Sequence, residues 1–230
     1  MRVETITYDA AKSAWSLPGF PAALDSDRTL VVAFGAPELI DAPKPLKDLK
    51  AAFPRAKVVG CSSAGEIAGT SVRDRSLSVA VAKFDHTDLQ VASLEVTSSA
   101  QSFTAGQSLA KQLQRPGLRA VFVLSEGLDV NGSELVRGLN SALDPSVLVT
   151  GGLSGDGPAF KRTWVALGDK LQSGLIVAVG FYGDHLVVGH GSKGGWDKFG
   201  PERVVTKSSA NVLFELDNKP ALALYKEYLG

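Results

Sequence analysis

A stretch of tiny side chains, "KVVGCSSAGE" (57–66), has a counterpart about ninety positions later in "VLVTGGLSGDG" (147–157), and the elements before each occur in the same order. "TLVVAFG" (29–35) is an apolar run ended by glycine. "PLKDLKAAF" then carries Leu46, Leu49 and Phe53 at i, i+3, i+7, so the spacing predicts a strand followed by a helix opened by Pro45. "RAVFVLSEG" and "SELVRGLNSAL" repeat that order, with Asn131 and Glu134 as an N-cap and capping-box signal and Leu135, Val136, Leu139 and Leu143 on one face. The alternating "LSVAVAKF" (77–84) has its match in "LIVAVGFYGDHLVV" (175–188). A longer hairpin arm around Arg162 to Asp169 accounts for the different spacing that follows the second turn. "LQVASLEV" (89–96) is expected to form a hairpin with 77–84 through "DHTD", and "SFTAGQSLAKQL" (102–113) a helix with Gly106, Leu109, Ala110 and Leu113 on one stripe.

The expected fold is therefore α/β in the mixed α+β sense: duplicated β-α-β-β-β units packed about a pseudo-twofold axis, with mixed sheets flanked by helices. The halves are expected at 29–113 and 119–190 within a 29–190 domain. Residues 1–28, broken by Pro18, Gly19 and Pro21, read as an irregular segment, and 191–230 as a loop, strands and a helix. In that last stretch a turn is expected at Asp217-Asn218, and Pro220 opens a helix whose apolar stripe is Leu222, Tyr225 and Leu229.

Composition limits the function classes. The 230 residues carry 24 basic and 24 acidic side chains, with no basic cluster interleaved with aromatics, so nucleic acid is not an expected partner. The single cysteine, Cys61, excludes a disulfide framework within one chain and a cysteine-built zinc site. "MRVETITYDA" is charged where a signal peptide is apolar, and no run reaches membrane-spanning length, so no membrane partner and a cytoplasmic location are expected.

The two small-residue turns are the candidate site. Cys61, Ser62, Ser63, Gly65 and Glu66 from one, with Gly152, Ser154, Gly155 and Asp156 from the other, offer close backbone approach, hydroxyls and two carboxylates. Such walls suit a small amino or hydroxyl compound; equally, such turns serve simply to switch the chain between strands. Cys61 at a strand end followed by the Ser62 and Ser63 amides has the outline of a thiolate nucleophile that would need His86, His185 or His190 as base, although a lone cysteine beside Val58 and Val59 is more often a buried hydrophobe. "GCSSAG" is one residue too long for a serine nucleophile elbow. Trp196, amid the glycines of "GSKGGWDKFGPE", either closes over a pocket or pins its loop by packing.

"VVGCSSAGEI", "LSVAVAKFD", "TGGLSGDG" and the block from "GLIVAVGFYGDHLVV" to "YKEYLG" together resemble the FIST sensory domain, from about residue 28 onward. The resemblance implies a noncatalytic ligand-binding module of a bacterial signal-transduction system, its ligand an amino acid or similar small polar metabolite, its output a downstream signalling protein. It also implies a further C-terminal FIST portion, so that a pocket shared with that portion is incomplete in these residues. No cofactor is expected on this reading; the alternative the family suggests is a haem-dependent nitric oxide sensor, for which His190 is the axial-ligand candidate. A cysteine-dependent hydrolase or transferase stands third.

Overall fold

The computed structural model describes residues 1–229 except Ser192, Trp196, Phe199 and Ala210. Trp196, a candidate from the sequence, therefore lies outside the described residues. The chain divides into two compact units, Met1–Gly189 and His190–Gly230.

In the first unit the chain runs through β1 (Arg2–Asp9), β2 (Ala14–Trp15), β3 (Thr29–Gly35), α1 (Lys44–Ala52), β4 (Lys57–Ser62), a small hairpin of β5 (Glu66–Ala68) and β6 (Ser71–Arg73), and β7 (Ser76–Lys83). It continues through β8 (Asp88–Glu95), α2 (Ser102–Leu113), β9 (Leu118–Ser125), α3 (Gly132–Ala142), β10 (Leu148–Leu153), a second hairpin of β11 (Val165–Leu167) and β12 (Lys170–Gln172), and β13 (Leu175–Tyr182). Two mixed sheets result, ordered β12-β11-β4-β3-β7-β1-β2 and β10-β9-β13-β8. Within each, one strand pair is parallel, β3 with β4 and β9 with β10, and the remaining neighbours are antiparallel. The order β4-β3-β7-β1 thus has the same strand senses as β10-β9-β13-β8.

Three expectations are corrected. Residues 77–84 and 89–96 do not form a hairpin: β7 pairs with β1 and β3, whereas β8 crosses to the other sheet and pairs with β13. Accordingly the matching stretches are not 29–113 and 119–190, because β1 occupies in the first sheet the place that β8 takes in the second. Residues 1–28 are not wholly irregular either, since Arg2–Asp9 pairs with β7 over its full length. The alternation of Ile6 and Tyr8, both buried, with the more exposed Thr5, Thr7 and Asp9 is the period-two signal of that strand.

The sheets stack face to face and a helical layer covers each outer face. Val31, Ala33, Val58, Val79 and Val81 pack outward against Leu46 and Leu49 of α1 and Phe53 just after it. Their strand neighbours Leu30, Val59 and Cys61 point inward and meet Leu124, Val177 and Val179 of the second sheet. On that sheet the alternate residues Val121, Val123, Ile176 and Ala178 pack against α2 and α3. Central strands buried on both faces explain why their sequences read as nearly continuous apolar runs. The contact between α2 and α3 is closed by glycines: a Cβ on Gly106 would stand 2.3 Å from the Leu135 carbonyl oxygen, and one on Gly138 would stand 2.1 Å from that of Phe103. No described helix is long and apolar enough to cross a membrane.

The second unit holds β14 (Val205–Ser209), β15 (Val212–Leu216), β16 (Lys219–Pro220) and α4 (Ala221–Leu229). Asp217 and Asn218, at φ 50° and 60°, form the two-residue turn that joins β15 to β16, the left-handed pair that Asp and Asn tolerate best. Arg203 pairs with Asp217 at 3.0 Å and donates to the Tyr228 hydroxyl at 2.6 Å. Among the described side chains of α4, Ala221 and Leu224 are buried while Leu222 and Tyr225 of the expected stripe are exposed; the Leu229 side chain lies outside those described.

Candidate functional site

The parallel strands β4 and β10 end in the two small-residue turns, and the fold brings these turns into contact. The Gly155 N–H donates to the Ser62 carbonyl at 3.0 Å, and the Ser63 N–H donates to that of Gly35 at 2.9 Å. Each strand also carries a glycine pressed against its parallel neighbour. A Cβ on Gly60 would lie 2.3 Å from the Ala33 oxygen, and one on Gly151, at φ 148°, would lie 1.8 Å from the Val123 oxygen. These close approaches require glycine at both positions.

Two cavities flank the joined turns, and Ser63 and Ala64 belong to the walls of both. The larger, about 740 Å³, takes Gly65 and Glu66 from the first turn, Asp156 from the second, and Glu38, Asp74, Arg75, Lys161 and Arg162 around them. The smaller, about 430 Å³, lies between the sheets and is walled by Phe34, Phe122 and Leu124, with Cys61, Ser62, Gly152 and Gly155. Of the residues singled out in the two turns, only Ser154 lines neither cavity. It is buried, and its Oγ has no hydrogen-bond partner among the described residues.

The two carboxylates have different surroundings. Glu66 is 2% exposed; its Oε1 accepts from Ser63 Oγ at 2.9 Å, and its Oε2 from Ser76 Oγ at 2.8 Å and Ser76 N–H at 3.2 Å. Burial raises its carboxyl above the usual value, and the serine hydrogen bonds oppose that rise. Asp156 instead accepts the backbone N–H groups of Phe160 (3.0 Å), Lys161 (2.6 Å) and Arg162 (2.9 Å), which hold its carboxyl below the usual value. Its acid group thus folds the 156–162 loop and sets Lys161 and Arg162 on the cavity rim. Arg162 forms a two-pronged pair with Asp41, and Arg75 stands 3.6 Å from Glu38. Lys161 and Asp74 form no ion pair among the described residues.

Cys61 is 3% exposed, and burial pushes its thiol up to about 12, which withholds the thiolate that nucleophilic chemistry requires. Neither cavity is lined by a histidine. β13 stops at Tyr182, so His185 and His190 lie beyond the strand expected to carry them, and His190 belongs to the second unit. His86 and His185, both exposed, stack with ring centroids 5.0 Å apart. The turns therefore offer a haem no axial histidine, and His190 is itself exposed, so the residues here do not fit that group. No described cluster of three or more His, Cys, Asp or Glu side chains could hold a metal ion.

Sequence reasoning missed Glu126, 2% exposed directly after β9. It accepts from the N–H groups of Leu128 (2.8 Å) and Asp129 (2.6 Å) and from Thr163 Oγ1 (2.7 Å). An acid placed directly after an apolar strand was its signal, but a single carboxylate at such a position also reads as a solvated turn. Lys161, Arg75 and Asp74 were missed because their place on the rim depends on which hairpins meet there.

Among curated proteins, none matches this chain. The model of the FIST N domain family matches residues 29–219, which takes in both turns, the second sheet, all of the first sheet except β1 and β2, and most of the second unit. The chain belongs to the FIST N domain family, sensory domains associated with signal transduction.

Proposed function

We propose that this chain is a noncatalytic sensory module that binds a small zwitterionic metabolite of the amino-acid class at the joined turns and reports it to a signalling partner. The observation that carries this reading is the shared wall of the 740 Å³ cavity, where turns from opposite halves of the first unit meet and where both signs of charge are available. Lys161, with Arg75 beside it, supplies cationic donors for a carboxylate, and Asp74 supplies the acceptor for an ammonium. Glu66 contributes through Oε1, which among the described residues accepts one hydrogen bond, from Ser63. The apolar cavity beyond Ser63 and Ala64 provides room for a side chain. A volume of this size lies in the ordinary range for small-molecule sites. The unpaired, buried thiol accords with a cytoplasmic setting.

The test is a thermal-shift screen of amino acids and related zwitterions on wild type, Lys161→Ala and Asp74→Asn. A ligand bound only by the folded state raises the melting temperature. Loss of one charged hydrogen bond should weaken that ligand by about tenfold or more in each variant. If no zwitterion shifts the wild type, or if the effective one binds both variants as tightly, the reading fails.

A further inference from the structure

A third cavity, about 660 Å³, opens at the starts of β3 and β4, whereas the two turns follow the ends of β4 and β10. Its wall carries five cations: Arg28, Arg55, Lys57, Lys83 and Arg115. Three acids share it, and each is already engaged. Asp88 pairs with Arg28 at 2.8 Å, Asp27 with Arg55 at 2.6 Å, and Asp85 with the Met1 ammonium at 2.6 Å. That leaves Lys57, Lys83 and Arg115 in no ion pair among the described residues, with Lys57 near enough to Asp27 and Lys83 near enough to Asp85 to lower those carboxyls further. Lys83 donates only to the Ala23 carbonyl, at 3.2 Å, and the Arg115 guanidinium lies over the Tyr182 ring, 3.8 Å from its centroid. The protein as a whole carries no net charge, so five cations against three acids around one concavity are a local excess of positive charge on this wall.

We infer that this cavity binds a phosphate-bearing small molecule. Three cations answer a group of two or more negative charges better than a single carboxylate, which would leave an excess of positive charge in the concavity. A guanidinium pinned by an aromatic ring is pre-organised for oxyanion hydrogen bonds, and two ammonium groups adapt around it. Phe84, itself held edge-on to Phe181 at 5.8 Å, gives the cavity one apolar wall beside the charges. Lys57 and Lys83 come from the first sheet and Leu89 from the second, so both sheets contribute to the cavity wall on the side away from the turns.

Isothermal titration of the full chain with inorganic phosphate, pyrophosphate and adenosine diphosphate, at low and at physiological salt, tests this. Pyrophosphate should bind wild type and weaken by about tenfold or more in Lys57→Ala and in Arg115→Ala. Lys47→Ala, which removes the same charge from outside the cavity, should bind as wild type does. Lys57→Ala keeps the test valid if Arg115→Ala disturbs the packing on Tyr182. Adenosine diphosphate binding more tightly than pyrophosphate marks an organic phosphate as the occupant, and equal affinities mark the free anion. Absence of binding by all three at low salt, or equal weakening by Lys47→Ala, overturns the inference.

Discussion

Glu66→Gln separates the two roles of the carboxylate that anchors the first turn. Its oxygens accept three hydrogen bonds from Ser63 and Ser76, and its burial raises the carboxyl above its ordinary 4.5. The folded state thus holds this proton more tightly than the unfolded chain does. The group's contribution to stability is full below about pH 4.5 and is lost as pH rises through the higher folded value. Glutamine keeps the shape and an acceptor for the Ser76 N–H, lets its amide donate to Ser63 Oγ, and carries no charge to desolvate. The melting temperature of Glu66→Gln relative to wild type should therefore climb as pH rises above about 4.5. Glu66→Ala instead strands the Ser76 N–H in a buried position, a loss of about 1–3 kcal/mol. At roughly 2–4 °C per kcal/mol for a domain of this size, that is a drop of about 5 °C. Circular-dichroism melts of all three proteins in buffers of matched ionic strength measure both effects. A glutamine variant that melts as low as the alanine variant at every pH, or whose offset from wild type does not change with pH, would refute the reasoning.

Gly106→Ala should lower the urea midpoint: its methyl would meet the Leu135 oxygen at 2.3 Å and the Leu139 nitrogen at 2.8 Å, and an overpacking cost of about 1–3 kcal/mol outweighs the gain of about 1 kcal/mol in helix propensity. Cys61 should resist iodoacetamide in native protein at about pH 8 and react once urea unfolds the chain, because a thiol pushed up to about 12 is almost wholly protonated there; rapid native alkylation contradicts the burial argument. Asp156→Ala should speed amide exchange at Phe160, Lys161 and Arg162 at neutral pH. In wild type the same protection should fade as pH falls below 3.8 through the lower folded value of that acid, and exchange that ignores both perturbations would show the loop is held by other contacts.

Much of this architecture is legible in the sequence because central strands buried on both faces leave unbroken apolar runs, as in 29–35, 119–125 and 175–182. The N-cap at Asn131, whose side chain accepts the Glu134 N–H at 3.2 Å, and the turn at Asp217-Asn218 are equally readable, since each rests on local backbone chemistry. Partner choice is not local. Four residues separate β7 from β8, a length that suits a hairpin, and only the shared inner core around Leu89, Leu124 and Val179 sends β8 to the other sheet. The candidate site divides in the same way. The glycine-rich turns stand out by composition, whereas the bonding that occupies Glu66 and Asp156 depends on Ser76 and on the return of the 156–162 loop.

The hairpin that closes the open edge of β4 belongs to the far end of the chain's first unit: Val165 lies opposite Cys61 and Leu167 opposite Val59. During synthesis the β4 edge therefore has no partner until residues 165–167 have left the ribosome, and the Trp164 N–H then reaches the Ser62 Oγ across 102 positions of chain. An edge of that kind is a template for pairing with other nascent chains. The entwined order should make the mature unit melt as one cooperative block, with neither sheet surviving as an autonomous fragment.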